Sequence, residues 1–162
     1  MKTLQIITTG GTIDKVYFDD KSDYEIGPPE IGRILEDTGI GFEVHINALM
    51  RKDSLHFNAE DRALIRNVIA HSSSKHFLIT HGTDTMVDTA MELLDIEDKV
   101  IVLTGSLKPA RFRDSDAVFN IGCAVGAVQC LPSGVYISMN GKVWDPRKVK
   151  KNHSAHRFEA NE

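Results

Sequence analysis

The sequence predicts a doubly wound α/β domain: a mostly parallel sheet with helices on both faces. Short apolar strands alternate with longer amphipathic segments along the chain. The strands are continuous apolar runs without polar alternation, as expected for strands buried on both sides. At 162 residues the chain is long enough for one such domain and needs no metal or disulfide to hold it.

The elements follow in order. Leu4–Thr8 reads as a strand and runs into Thr9-Gly10-Gly11-Thr12. Pro28-Pro29 opens a helix over Glu30–Asp37, which closes near Gly39. Phe42–Ala48 is the second strand. Asn58 is placed to cap a helix over Ala59–Ala70, where Ala63, Leu64, Val68 and Ile69 recur at helical spacing. His76–Thr80 is the third strand, Met86–Leu94 a helix, and Lys99–Leu103 the fourth strand. Ser115–Gln129 is helical, and Gly134–Met139 is the fifth strand. The domain spans residues 1–162, with 148–162 read as a polar tail ordered only by contact with something else.

Composition excludes several classes. Lys and Arg total 19 and Asp and Glu 23, a net charge of −4, which argues against non-specific nucleic-acid binding. No apolar run reaches the roughly 18 residues of a membrane span, and the start is too short for a signal-peptide core. Cys123 and Cys130 show no CxxC spacing and read as buried small hydrophobes of a cytoplasmic protein. The seven histidines form no metal pattern. Arg147-Lys148-Val149-Lys150-Lys151, on an acidic chain, reads first as a solvated face.

The polar residues collect at strand ends. Ligands of parallel α/β sheets bind beyond the carboxyl ends of the strands. Four strands run into polar turns there: Thr8–Thr12, Arg51-Lys52-Asp53-Ser54, Thr80-His81-Gly82-Thr83-Asp84-Thr85 and Thr104-Gly105-Ser106-Leu107-Lys108-Pro109. Neither GxxxxGK[ST] nor GxGxxG is present. The glycines instead allow a threonine hydroxyl to be held at a strand end, where it needs an activating partner to act as a nucleophile. Thr83 or Asp84 can also serve simply as the cap of the helix from Met86. A lysine brought to the same edge supplies a proton acceptor if its pKa is lowered. His81 is expected to position its turn by hydrogen bonding.

Thr9-Gly10-Gly11-Thr12-Ile13 and His81-Gly82-Thr83-Asp84-Thr85-Met86 resemble, in order and separation, the two signature motifs of the bacterial-type L-asparaginases. The similarity continues through Thr104–Pro109, Phe119-Asn120 and Met139-Asn140, and covers nearly the whole chain as the family's N-terminal domain. Typical members are much longer and carry a second, smaller C-terminal domain, so the chain resembles the short-chain group.

The resemblance implies hydrolysis of L-asparagine to aspartate and ammonia through a threonine acyl-enzyme, with low glutaminase activity. It places catalysis on Thr12, Tyr24, Thr83, Asp84 and Lys151, and substrate contacts on Gly11, Asp53, Ser54, Gly82, Thr83 and Asp84. Lys151 is assigned from Asp145-Pro146-Arg147-Lys148-Val149-Lys150-Lys151, which gives the basic run a purpose. Ser54 matches a serine that holds the substrate α-carboxylate, and Leu55 stands where the family is usually polar. Tyr17 rivals Tyr24 as the supporting tyrosine, and either threonine can be the first to attack. No cofactor or metal is implied. The implied partners are a small-molecule substrate and copies of the chain in a dimer or tetramer, with no nucleic acid and no membrane, in the cytoplasm. Glu159 or Glu162 from a partner chain is the candidate for the acidic group that the second domain supplies in longer members. An amino-acid-binding or regulatory protein, and an amidotransferase subunit acting on aminoacyl-tRNA, are the alternative readings.

Overall fold

A computed structural model describes all 162 residues. The strands are β1 Thr3–Thr8, β2 Lys15–Phe18, β3 Asp23–Ile26, β4 Glu43–Ala48, β5 His76–Thr80, β6 Val100–Thr104, β7 Gly134–Met139, β8 Lys142–Trp144, β9 Val149–Asn152 and β10 Arg157–Ala160. The α-helices are α1 Ile31–Asp37, α2 Ala59–Ala70, α3 Met86–Glu92 and α4 Ala117–Cys130. The main sheet has the order β4-β1-β5-β6-β7-β8. Its first five strands are parallel and β8 is antiparallel to β7. The doubly wound α/β class is as expected, with boundaries shifted by a residue or two.

Two apolar layers explain the architecture. Leu4, Ile6, Leu78 and Val102 face α1 and α4, packing on Ile31, Ile34, Ile121 and Ala124. Ile7, Phe77, Ile79, Ile101 and Leu103 face the other way, onto Ile65 and Ile69 of α2 and Met86 and Ala90 of α3. Successive strand residues point to opposite faces, so the middle of each inner strand is apolar on both faces and the buried polar residues Thr8, Thr80, Thr104 and Ser138 sit at the carboxyl ends. All five residues of β6 are buried, as its central place requires. Each such Leu, Ile or Val contributes about 1.5–3 kcal/mol on burial. α2 begins at a capping box in which Asn58 accepts from the Asp61 backbone N–H at 3.0 Å and Asp61 accepts from the Asn58 N–H at 2.9 Å.

Several expectations are corrected. Residues 148–162 are not a tail held from outside: β9 and β10 form an antiparallel hairpin, and its Val149 and Phe158 are 2% and 3% exposed in the main core. Two apolar side chains in a polar segment are enough to seat it. The segment after β1 forms a second hairpin, β2–β3. Cys130 is exposed and Cys123 half-buried, because α4 turns only Ala117, Asn120, Ile121, Ala124 and Val128 fully inward. No helix is long and apolar enough to cross a membrane.

Candidate active site

Parallel pairing brings the carboxyl ends of β1, β4, β5 and β6 to one edge, so the four polar turns converge there. The turns then touch through backbone. Gly11 has φ +89°, and a Cβ on it would lie 2.6 Å from the Cα and N of Gly82. A Cβ on Gly82 would lie 2.5 Å from Ser54 Oγ. Only glycine permits these approaches. Thr12 and Thr83 each follow one of the two glycines, so the contact brings their corners together.

Gly82 leads directly into a polar cluster. Lys151 Nζ, from β9, donates to Thr83 Oγ1 at 2.8 Å and to Asp84 Oδ1 at 2.6 Å. Thr83 is 5% exposed and Lys151 has 13% of its side chain accessible, so the pair is shielded more than a surface ion pair. Ser54 is buried in the adjoining turn. Its Oγ accepts from the Thr85 N–H at 3.3 Å, and its carbonyl accepts from Thr85 Oγ1 at 2.8 Å. Asp53 caps that turn, accepting from the Leu55 N–H at 3.0 Å, and lies 3.9 Å from Lys15 Nζ. Leu55 is exposed. The capping role open to Thr83 or Asp84 is not taken: Thr85 holds the N-cap of α3, with no side-chain cap bond.

Thr12 borders a cleft of about 430 Å³ that is also lined by Lys15, Asp23, Tyr24, Leu107, Pro109 and Phe112. Tyr24 and Tyr17 are register partners in the β2–β3 hairpin, with ring centres 5.3 Å apart. Tyr24 borders the Thr12 cleft and packs edge-on against Phe112 at 5.7 Å. Tyr17 lines a different depression with Phe18, Asp19 and Asp20. The structure therefore gathers the assigned residues into two groups, Thr12 with Tyr24 and Thr83 with Asp84 and Lys151, joined by the Gly11–Gly82 contact. Ser54 abuts the joint through Gly82.

Two buried titratable groups brace the corners. His81 is fully buried, with Nδ1 2.7 Å from the Gly82 carbonyl and Nε2 2.7 Å from Thr89 Oγ1. Burial pushes its pKa down to about 4. Neutral His81 thus donates from Nδ1 and accepts at Nε2, the positioning role expected of it. Asp14, two residues after Thr12, accepts from the Glu30 backbone N–H at 2.9 Å. Burial pushes its carboxyl up to about 6; that hydrogen bond and Arg51 oppose the rise, and the Glu30 carboxylate adds to it.

Sequence reasoning missed Thr85, whose hydroxyl ties Ser54 to the start of α3, although it is the last threonine of HGTDT. It missed His153, whose Nδ1 lies 3.6 Å from Asp84 Oδ1. Glu159 is engaged inside its own hairpin, accepting from Asn152 Nδ2 at 3.1 Å, and is not held free for a neighbouring chain.

A parallel sheet whose touching corners present two threonines, an aspartate and a lysine defines an asparaginase-type α/β domain. The chain belongs to the asparaginase family: the family model described as the N-terminal asparaginase domain matches residues 3–161. An L-asparaginase of Bacillus licheniformis is 30% identical over 95% of this chain and 51% of its own. One subunit of the glutamyl-tRNA(Gln) amidotransferase of Methanococcus maripaludis is 28% identical over 97% of this chain and 41% of its own. Among solved structures, a probable cytoplasmic L-asparaginase from Campylobacter jejuni superposes with a TM-score of 0.78 at 27% identity, over 99% of this chain and 52% of that one. L-asparaginase I from Vibrio cholerae gives 0.82 at 26% identity, over 98% and 51%. The chain spans about half the length, or less, of the curated relatives it matches.

Proposed function

We propose that the chain hydrolyses L-asparagine to aspartate and ammonia. The observation that carries this reading is the Lys151–Thr83–Asp84 cluster, set one backbone contact away from the corner that holds Thr12 at the wall of an open cleft. In this reading the substrate ammonium pairs with Asp84. Its α-carboxylate is taken by Ser54, with Asp53 holding the Ser54 turn, and by backbone N–H groups of the Gly11 and Gly82 turns. Thr12 is the nucleophile, because it lines the cleft whereas Thr83 is bonded to Lys151.

The chemistry balances in two steps. Thr12 Oγ attacks the side-chain amide carbon, and Tyr24 takes part in carrying its proton towards the leaving nitrogen. The C–N bond breaks and ammonia departs, leaving an aspartyl ester on Thr12. Water, activated beside Thr83 and Lys151, then adds to the ester carbon; its proton returns to Thr12 Oγ as aspartate leaves. The backbone N–H of Thr83 stabilises the oxyanion, and losing one such donor costs about 100- to 1000-fold in rate.

Ammonia release from L-asparagine tests this. The whole chain should release ammonia, L-glutamine should be turned over poorly, and Thr12→Ala should lower the rate at least about 1000-fold with an unchanged far-UV spectrum. Near-normal release by that variant would overturn the assignment. The relatives that belong to amidotransferases favour a second reading, in which ammonia is delivered to an aminoacyl-tRNA partner. Turnover of free asparagine that is unaffected by tRNA would exclude it. We also infer a cytoplasmic homo-oligomer, a dimer or tetramer. The exposed Val118 and Phe119 of α4 support the oligomer, and the likeness to the Campylobacter jejuni protein supports the compartment.

A further inference from the structure

Three neighbouring strands, β1, β5 and β6, end in a threonine, and β7 has Ser138 next to its end, all at one level of the sheet. Thr8 pairs with Thr80, Thr80 pairs with Thr104, and Ser138 lies one step past the Leu103–Ile137 pair. In-register neighbours share a face. Here it is the α1 and α4 face, because Ile6, Leu78 and Val102, two residues earlier on their strands, belong to that core. All four hydroxyl residues are at most 1% exposed.

A hydroxyl carries one donor and two acceptor sites, and burying it unpaired is unfavourable. Thr104 Oγ1 donates to the Ser138 carbonyl at 2.8 Å. The Oγ atoms of Thr8, Thr80 and Ser138 have no protein partner, and neither has Asn120 Oδ1. Asn120 is the inward-facing polar residue of α4. Its Nδ2 donates to the Gly105 carbonyl at 3.0 Å and to Asp116 Oδ2 at 2.9 Å, so flipping the amide would lose both bonds. The nearby backbone acceptors are already engaged. The Thr8 carbonyl accepts from Leu49 N and Met50 N, and the Thr80 carbonyl accepts from Thr9 N and Thr9 Oγ1.

We propose that this row binds ordered water at two places, between Thr8 and Thr80 and between Ser138 and Asn120, beneath the corners that carry Thr12 and Thr83. Neighbouring strands stand about 4.8 Å apart. One water with hydrogen bonds of about 2.8 Å spans that gap at close to a tetrahedral angle. A water between Thr8 and Thr80 joins the ends of β1 and β5. A water at Ser138 and Asn120 joins β7 to α4. Each gains the two or more polar partners that a buried water requires. The water between Thr8 and Thr80 holds the two strand ends from which both threonine corners spring.

A high-resolution crystal structure of the whole chain, with Thr8→Val and Thr80→Val compared by thermal unfolding, tests this. Solvent density should bridge Thr8 Oγ1 and Thr80 Oγ1, and each valine should lower the melting temperature by about 2–8 °C, because it removes a partner of a bound water. A dry row at that resolution would overturn the proposal. So would valine variants at least as stable as the parent, since an isosteric methyl improves a site that holds no water.

Discussion

Lys151 shows how much rests on single side chains. It reaches across from the last third of the chain to hold Thr83 and Asp84 together. Lys151→Met should lower asparagine turnover at least about 100-fold with an unchanged far-UV spectrum, and should also lower the melting temperature, because Asp84 and Thr83 lose a shielded partner. Gly82 is the opposite case, a residue that acts by having no side chain. Gly82→Ala drives a methyl into Ser54 and should lower both stability and activity, with Gly82→Ser worse. Asp14 and His81 titrate in opposite senses over nearly the same range. Asp14 has a raised pKa, so the folded state holds its proton longer and stability falls as pH rises from about 3.8 to about 6. His81 has a lowered pKa, so the unfolded state takes the proton first and stability rises as pH goes from about 4 to 6.5. The two slopes oppose each other. Asp14→Asn removes one of them, so its denaturation free energy should rise more steeply with pH across this range than that of the parent. An unchanged slope would show that Asp14 is not held protonated by the fold.

At the scale of elements, the long apolar segments are the most legible in the sequence. The limits of α2 and β5 follow from Asn58 before a periodic run and from the unbroken HFLIT. Of the hairpin strands only β7 is among those that the sequence predicts. Asn140-Gly141, both with positive φ, makes the two-residue turn between β7 and β8, and that dipeptide is the strongest short hairpin signal there is. The β2–β3 hairpin has exposed aromatic residues and only half-buried inner positions, so its hydrophobic pattern is faint. β9 and β10 carry one buried apolar side chain each, Val149 and Phe158, and the polar composition around them hides the strands. That hairpin also delivers Lys151. Phe158→Ala should therefore cost about 3–5 kcal/mol of stability, with activity falling alongside it. A stable, fully active Phe158→Ala protein would mean that Lys151 is positioned by something else.

For the whole molecule, the convergence of the polar turns is legible because topology alone enforces it: parallel strands put all their carboxyl ends on one edge. The distances are not. Backbone contact between Gly11 and Gly82 depends on two tight turns meeting, and no spacing in the sequence encodes that. Nor does the strand pattern reveal that Thr8, Thr80, Thr104 and Ser138 fall into one buried row, since register is fixed only when β1, β5, β6 and β7 pair. In the proposed reaction Thr12 carries the acyl group while Thr83 and Lys151 serve the water step. Rapid acid quench of the chain turning over L-asparagine, followed by mass spectrometry of its peptides, measures this directly. An aspartyl ester on Thr12, absent from Thr12→Ala, is the predicted result. An ester on Thr83, or sustained turnover with no ester on Thr12, would contradict it.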